Sequence, residues 1–397
     1  MVEISSYFFL AFAVLGYIVS KIVYRLVFHP LASVPGDKIA AATLLYEFFW
    51  DAVMGGKYVF RIAEMQERHG PVVRISPREV HVNDACFFDV LYTSRDEKDE
   101  WFYNFDGTNT SVFATGPHNA HHRRRGAFAR LFTVANVAKV EPALLLHLQK
   151  LFSRMDEARQ TGESPNAATL LILQTLLALS TELWVSKLLP QEDRNVWRMA
   201  IEAETLLNAG IETTGLSLAI LVYHLHKHPN VFQGLKSDLL ACSSLPKESP
   251  VDFQTLNRLP YLQAVIQETL RITCPVSGRL PRINGVRPLV FAKNIPNAKT
   301  YVFPPGTVIS MSIMDLHHHA SIFTNPKEFV PERWLDEPGN FASEEQRRLM
   351  RKYLLPFGKG SRSCIGLELA KLELVLSAGN LFRRFDLELF ETTERDM

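Results

Sequence analysis

The loop at residues 357–366, FGKGSRSCIG, contains the residue types and spacing that most clearly indicate chemistry. A thiolate that binds iron needs a tight loop, because backbone N–H groups must point at the sulfur while water and oxidants are kept away. Gly358, Gly360 and Gly366 would permit the backbone angles and close approach around Cys364. We expect a helix to begin at Cys364, whose positive dipole end favours the thiolate over the thiol. The alternative for a lone cysteine is a buried structural residue beside a glycine turn.

Two further side chains of this loop fit a porphyrin. Arg362, two residues before the cysteine, can pair with a porphyrin carboxylate. Phe357 can pack beside the ring as an apolar shield. The loop therefore predicts a haem with a thiolate ligand.

A second set of residues could form an ion cluster. The segment that begins at Pro260, PYLQAVIQETLRI, is a predicted helix in which Glu268 and Arg271 lie three residues apart and share a face. The later segment PERW offers Arg333 as a third member. Taken alone, such a pair is usually a solvated helix pair.

A third set lies in the middle of a long helix predicted over residues 195–228 and closed by Pro229. Gly210 and the pair Thr213-Thr214 predict a distorted turn there, because glycine and β-branched residues weaken a helix. In such an opened turn, Glu212 and Thr213 could relay protons through water. The alternative is a capping or solvent-facing cluster.

Taken together and in this order, these segments resemble the cytochrome P450 family. The family pattern F-x-x-G-x-R-x-C-x-G is filled by Phe357, Gly360, Arg362, Cys364 and Gly366. The resemblance implies a mainly α fold with a minor β portion and haem b held by Cys364. It also implies that Glu212 and Thr213 form the acid–alcohol pair facing oxygen, while the core beneath the haem is braced by Glu268, Arg271 and Arg333.

The family's contacts to the haem propionates can be carried over to three residues. In HHRRRG, the aromatic and basic positions four apart fall on His121 and Arg125. In PVSGRLPRI, the resemblance suggests Arg282 for the other propionate, with residues 276–278 near the substrate. Arg123 and Arg124 either form a reductase-docking surface or are simply solvated.

The resemblance also implies an activity. A thiolate ligand favours O–O cleavage, so one oxygen atom of O2 would enter an apolar small molecule by hydroxylation or epoxidation (EC class 1.14). Electrons would come from an NADPH–cytochrome reductase, because the chain has no nucleotide-binding glycine fingerprint. The order of segments most resembles fungal microsomal members of secondary metabolism, and a terpenoid-like substrate is expected. We expect a monomer.

An uncharged stretch at residues 4–20 is close to the length needed to cross a bilayer. Glu3 precedes it and Lys21 and Arg25 follow it, which places the body of the protein in the cytosol. We therefore predict a single-pass anchor in the endoplasmic reticulum membrane (residues 1–28), a proline hinge (29–45) and a haem-thiolate monooxygenase domain (46–397). A cleaved signal peptide or a buried helix is the alternative.

Composition excludes other classes of function. The 43 basic and 42 acidic residues nearly cancel, so we expect no nucleic-acid partner. The four cysteines are widely spaced, which disfavours a disulfide framework and a zinc knuckle. Helices are predicted over residues 118–132, 141–155 and 167–183, and short strands over 72–75 and 79–82. After the helix at Pro260, helix is expected to return only after Cys364.

The chain is shorter than the family pattern requires. Only 92 positions separate His121 from Thr213 (213 minus 121), and 33 residues follow Cys364 (397 minus 364). The lid helices and the C-terminal hairpin are therefore expected to be incomplete. An open pocket admits water and favours release of peroxide over substrate oxygenation. Two alternatives follow: a truncated, non-catalytic haem-binding protein, and a peroxide-driven peroxygenase.

Overall fold

The computed structural model describes residues 2–93, 96–104, 107–108, 110–161, 195–242, 244–292, 299–336 and 343–389. The chain divides into two compact units, one of residues 1–102 with 277–316 and one of residues 103–276 with 317–397. The described part is mainly helical with a small sheet portion, which confirms the predicted fold class. The predicted division at residues 28 and 45 stays a prediction.

The first unit contains the strands. They are Val72–Arg74 (β1), Glu79–Val82 (β2), Glu97–Lys98 (β3), Arg282–Ile283 (β4), Leu289–Phe291 (β5), Tyr301–Phe303 (β6) and Val308–Ser310 (β7). Five of them form a sheet in the order β1-β2-β7-β4-β3, in which β2 and β7 are parallel and the other neighbours are antiparallel. A separate antiparallel pair is formed by β5 and β6.

The first unit also contains the N-terminal helices. They are Val2–Val23 (α1), Lys38–Ala42 (α2), Leu45–Phe48 (α3), Tyr58–His69 (α4), Ala85–Thr93 (α5) and Glu100–Tyr103 (α6). The last residue of α6 is the first residue of the second unit. Two π-helical turns occur at Tyr24–Phe28 and Phe49–Val53.

By length and composition, two described helices could cross a membrane, Phe9–Phe28 and Val196–Lys227. The bent pair of helices His118–Ala138 and Glu141–Thr161 is a third candidate if the pair forms one span. The first of these contains most of the predicted anchor.

The second unit is built from helices. They are His118–Ala129 (α7), Val134–Ala138 (α8), Glu141–Thr161 (α9), Val196–Lys227 (α10), Pro229–Leu239 (α11), Phe253–Leu256 (α12), Pro260–Thr273 (α13), Glu344–Tyr353 (α15) and Leu367–Arg384 (α16). Ile313–His317 (α14) runs from the first unit into the second, and 3-10 turns occur at Leu240–Cys242, Pro331–Trp334 and Gly360–Arg362. The core forms where α10, α11, α13 and α16 pack together, around side chains such as Leu221, Val265 and Val375.

Local signals explain the boundaries of the long helix α10. The Asn195 side chain caps its first turn by accepting a hydrogen bond from the backbone N–H of Arg198 at 2.8 Å. The helix ends at Lys227, and Pro229 opens the next helix. Its bounds match the sequence prediction. The expected distorted turn is wrong, because α10 is α-helical throughout.

Other helix predictions differ in extent from the structure. The helix predicted over residues 118–132 ends at Ala129, and the one predicted over 141–155 continues to Thr161. The helix predicted over 167–183 lies outside the described residues. Helix does not return only after Cys364, because α14 and α15 precede it. The Ser343 side chain caps α15 by accepting a hydrogen bond from the backbone N–H of Gln346. That polar helix lacks the apolar periodicity on which the prediction relied.

Candidate active site

The loop before α16 presents the sulfur of Cys364. The Cys364 side chain is exposed, and its backbone N–H donates to the carbonyl oxygen of Phe357 at 2.7 Å. Gly358 and Gly360 have φ values of +69° and +74°, which few other residues adopt. Gly366 has φ of −87° and is the N-cap residue of α16. Two of the three predicted glycines are thus required by backbone angle, and the third is not.

The electrostatics of Cys364 correct one expectation. Helix α16 begins at Leu367, three residues after the cysteine, rather than at Cys364. Desolvation by surrounding protein raises the pKa of the Cys364 thiol, although the N–H of Gly366 and the charge of Arg125 act in the opposite direction. The helix end therefore does not by itself favour the thiolate. A bound metal cation would, because coordination deprotonates a thiol.

Arg125 is the cation next to this sulfur. It projects from α7 and is half-buried, and burial lowers its pKa while the charge of Cys364 acts in the opposite direction. No carboxylate pairs with Arg125 among the described residues. A half-buried guanidinium without a carboxylate fits an anionic group of a ligand bound at this cysteine. An exposed cysteine residue and this cation are the features that a propionate-bearing haem would need.

Arg362 ties the cysteine loop to the segment before α7. Its two terminal nitrogens donate to the carbonyl oxygens of Thr115 and Gly116 at 2.5 and 2.6 Å. Arg124 reaches the same segment by donating to the Thr115 hydroxyl at 2.9 Å. Arg124 is half-buried and bonded, and thus not simply solvated, whereas Arg123 is exposed; a role of these residues in reductase docking stays a prediction.

The remaining propionate candidates lie in different units. His121 is buried on α7 in the second unit, one helical turn before Arg125. Arg282 is buried in β4 of the first unit, where its guanidinium donates to the carbonyl of Pro281 and lies over the Tyr92 ring. Phe357 is half-buried in the cysteine loop. Their contacts to a haem stay predictions.

The ion cluster around Glu268 is fully buried in the second unit. Arg271 donates to both carboxylate oxygens of Glu268 at 2.8 and 3.0 Å. Arg333 donates to the same carboxylate at 3.1 Å, as the sequence pattern predicts. The structure adds two donors that the sequence did not reveal, the Trp334 indole at 2.9 Å and the Val330 backbone N–H at 2.9 Å. One carboxylate thus gathers donors from α13 and from the segment around the PERW turn.

The acid–alcohol pair lies in the continuous α-helix α10. Glu212 is exposed, and the Thr213 hydroxyl donates to the carbonyl oxygen of Ala209 at 2.6 Å within the helix. The neighbouring Thr214 is buried and donates to the Glu373 carboxylate at 3.4 Å. The two predicted residues are therefore adjacent, but no hydrogen bond joins them to each other or to the described residues of α16.

Glu373 is an acid that the sequence reasoning missed. It is 5% exposed, and burial raises its pKa to about 7 while the Thr214 hydrogen bond acts in the opposite direction. Its Oε1 has no hydrogen-bond partner among the described residues. A sequence signal existed, because Glu373 falls on the apolar face that Leu369, Leu372 and Leu376 define at helical spacing.

Comparison with known proteins decides the family. The cytochrome P450 family model matches residues 193–397, slightly more than half of the chain. The chain belongs to the cytochrome P450 family. A tryptophan 6-hydroxylase of Fusarium equiseti is 30% identical over 94% of this chain and 89% of its own length. A cytochrome P450 monooxygenase of Talaromyces wortmannii is 30% identical over 94% of this chain and 90% of its own length.

These matches confirm the predicted family resemblance and the monooxygenase class of this P450. A P450 monooxygenase of Sordaria araneosa aligns over 485 positions, covering 96% of this chain and 92% of its own length at 29% identity. At least 88 of those positions (485 minus 397) have no counterpart in this chain. The P450 family implies a haem-thiolate cofactor, a redox partner and O2.

Proposed function

We propose that this P450 binds haem b through Cys364 and inserts one oxygen atom from O2 into an apolar small molecule of fungal secondary metabolism. The observation that carries the proposal is the exposed residue Cys364 beside the half-buried Arg125, which pairs with no carboxylate among the described residues. When bound, a thiolate-ligated haem supplies reductive cleavage of O2. Electrons come from an NADPH–cytochrome reductase in the endoplasmic reticulum membrane. The apolar N-terminal helix anchors the chain in the same membrane, and the body of the protein lies in the cytosol.

The residues of the chain divide the work. Cys364 ligates the iron, with Phe357, Gly360 and Gly366 shaping its loop. The propionates are held by His121, Arg125 and Arg282, and by Arg362 in exchange for one of its bonds to the Thr115 and Gly116 carbonyl oxygens. Glu212 and Thr213 pass protons from water to the oxygen site, and Glu268, Arg271 and Arg333 brace the core as structural residues. In this proposal the Thr213 hydroxyl exchanges its bond to the Ala209 carbonyl for one to water or oxygen, which a helical hydroxyl can do by rotating about χ1.

The substrate class is proposed more broadly than a single compound. Within fungal secondary metabolism, a terpenoid-like compound is the first candidate. Two relatives are named for 6-hydroxylation of tryptophan and of N-acetyltryptophan, so an aromatic amino-acid derivative is the second candidate. Both offer the apolar C–H bonds that this chemistry requires.

Spectroscopy tests the ligand first. The reduced, carbon-monoxide-bound protein should show the red-shifted Soret band of a thiolate haem, and Cys364→Ala should abolish it. Cys86→Ser is the matched control, because Cys86 is the other exposed cysteine and should leave the band unchanged. A preserved band in Cys364→Ala would refute the assignment.

Turnover tests the activity. With reductase and NADPH, Thr213→Ala should lose product and release more peroxide. Thr205→Ala should not, although its hydroxyl makes the same bond to a carbonyl four residues earlier on α10. Product formation from added peroxide without reductase would instead show a peroxygenase. A normal spectrum without turnover of terpenoid or tryptophan-like substrates by either route would show a non-catalytic haem-binding protein.

A further inference from the structure

A buried imidazole joins the end of α13 to the residues just before the cysteine loop. His317, the last residue of α14, is fully buried, and burial lowers its pKa to about 3. The ring is therefore neutral at physiological pH and carries one N–H. Each of its two nitrogens lies within hydrogen-bond distance of the main chain.

These two hydrogen bonds fix which nitrogen carries the proton. The backbone N–H of Leu355 can only donate, and its nitrogen lies 2.9 Å from Nε2 of His317. Nε2 must therefore accept, which places the proton on Nδ1. Nδ1 donates to the carbonyl oxygen of Arg271 at 3.0 Å. The Cys274 sulfur lies 3.1 Å from Nδ1, and its thiol donates to the same carbonyl.

The hydrogen bonds of the cysteine loop begin at the Leu355 peptide. The Leu355 carbonyl accepts from the N–H of Gly358 at 2.9 Å and closes a turn. Proline at the second position and glycine at the fourth, here Pro356 and Gly358, are typical of such a turn. Within it, the carbonyl of Phe357 accepts from the N–H of Cys364 at 2.7 Å. A displaced Leu355 peptide would therefore move the carbonyl that holds Cys364.

The other side of His317 is bonded to the buried ion cluster. The Arg271 guanidinium donates to the His317 carbonyl at 2.9 Å, while the His317 ring donates to the Arg271 carbonyl. The same guanidinium donates to both carboxylate oxygens of Glu268. Arg271 thus holds His317 by its backbone and by its ring, so Nε2 is a fixed acceptor for the cysteine loop.

We propose that His317 is a positioning residue for the iron ligand, because it holds the Leu355 N–H and thereby sets the position of the Cys364 sulfur through the turn at residues 355–358. Groups that hydrogen-bond to the surroundings of a metal ligand orient that ligand and tune its bond to the metal. The inference rests on the proposed ligation of haem iron by Cys364.

Two substitutions of His317 separate its two hydrogen bonds. His317→Asn keeps a donor near the position of Nδ1 but has no acceptor that reaches Leu355, whereas His317→Gln places an amide oxygen near the position of Nε2. His319→Asn is the control, because the His319 ring bonds locally to the Ser321 hydroxyl at 2.7 Å.

Two readouts are compared in the full chain loaded with haem. The first is the ratio of the red-shifted to the unshifted Soret band of the reduced, carbon-monoxide-bound protein, which reports thiolate ligation. The second is hydrogen–deuterium exchange at the Leu355 amide, measured by mass spectrometry. In His317→Asn we expect a severalfold lower ratio and severalfold faster exchange at Leu355. His317→Gln and His319→Asn should stay close to the parent protein in both.

The contrary outcomes are distinct. Equal losses in His317→Asn and His317→Gln, with faster exchange throughout the second unit, would show that the ring acts only through packing. Faster exchange at Leu355 with an unchanged band ratio in His317→Asn would overturn the link to Cys364. Absence of the red-shifted band from the parent protein would overturn the ligation by Cys364 itself.

The same bond can be removed from its other partner if His317→Asn does not fold. Replacing Leu355 by its α-hydroxy acid turns the N–H into an ester oxygen and leaves both side chains in place. This replacement should lower the band ratio as His317→Asn does, and a ratio equal to that of the parent protein would overturn the proposal.

Discussion

At the scale of single residues, Glu268 gathers two buried guanidinium groups around one carboxylate. Its carboxylate accepts from two guanidinium groups, an indole and a backbone N–H, all of them shielded from water. Removing one partner of a buried ion pair leaves the others uncompensated, which is far more destabilising than losing an exposed pair.

Glu268→Gln should therefore lower the free energy of unfolding by about 3 to 5 kcal/mol, because Arg271 and Arg333 would keep their buried charges. Urea unfolding followed by circular dichroism measures the change. Glu344→Gln is the control, since Glu344 pairs with Arg347 at 2.9 Å at the surface, and its loss should cost under about 1 kcal/mol. Equal effects of the two substitutions would contradict this account of the cluster.

Glu373 makes stability depend on pH. Its pKa is raised from 4.5 to about 7 by burial, so the folded state keeps a proton that the unfolded state loses. Stability is then highest below pH 4.5 and falls as pH rises through 7. By this linkage, ionised Glu373 should destabilise the fold by roughly 3 kcal/mol above that range.

Glu373→Gln should consequently be more stable than the parent protein at about pH 8 and nearly equal to it at about pH 5. Thermal unfolding at the two pH values measures the difference. An effect of the same size at both values would show that Glu373 acts through packing rather than through its charge.

At the scale of elements, the glycines of the cysteine loop look alike in sequence but differ in whether their backbone angles require glycine. Gly358→Ala should destabilise the protein by about 1 to 2 kcal/mol, because φ of +69° is strained for alanine. Gly366→Ala should change stability little, since φ there is −87° and an added Cβ would lie 3.9 Å from Phe132 and 4.0 Å from the Cys364 sulfur. Thermal unfolding and haem content compare the two variants, and a larger loss in Gly366→Ala would refute this distinction.

Two glycines within helices differ in the space available to an added side chain. A Cβ at Gly379 of α16 would lie 2.7 Å from the Leu256 side chain, so Gly379→Ala should destabilise the protein by about 1 to 3 kcal/mol. At Gly215 of α10 an added Cβ would meet nothing within 4 Å, so Gly215→Ala should stabilise it by up to about 1 kcal/mol through helix propensity. Denaturant midpoints of the two variants should move in opposite directions.

At the scale of the whole molecule, the proposed anchor predicts that membrane association depends on the centre of the span Phe9–Phe28. Leu15→Arg with Ile18→Arg should release the chain from membranes under alkaline carbonate, since each central arginine costs about 2.5 to 3.5 kcal/mol of insertion. Val27→Arg is the control, because it lies near the end of the span, where a long side chain reaches the interface. Retention of the double variant in the membrane pellet would argue against the anchor.

The sequence by itself determined the family and the main elements of this chain. The spacing around Cys364, the cap at Asn195 and the prolines at 229 and 260 act over a few residues, so they could be recognised without knowing the fold. The same is true of Glu268 and Arg271, which share a helix face. Such local patterns also led to wrong predictions where tertiary context decides, as with the distorted turn in α10.

Only the tertiary structure decided which polar groups meet across the chain. Thr214 and Glu373 lie 159 positions apart, Arg279 and Glu47 lie 232 apart, and Arg362 reaches the Thr115 carbonyl over 247. A sequence pattern fixes which face of its own helix or strand a residue occupies. Which faces are buried against each other depends on the packing of the whole chain, and that packing sets the pKa of Glu373.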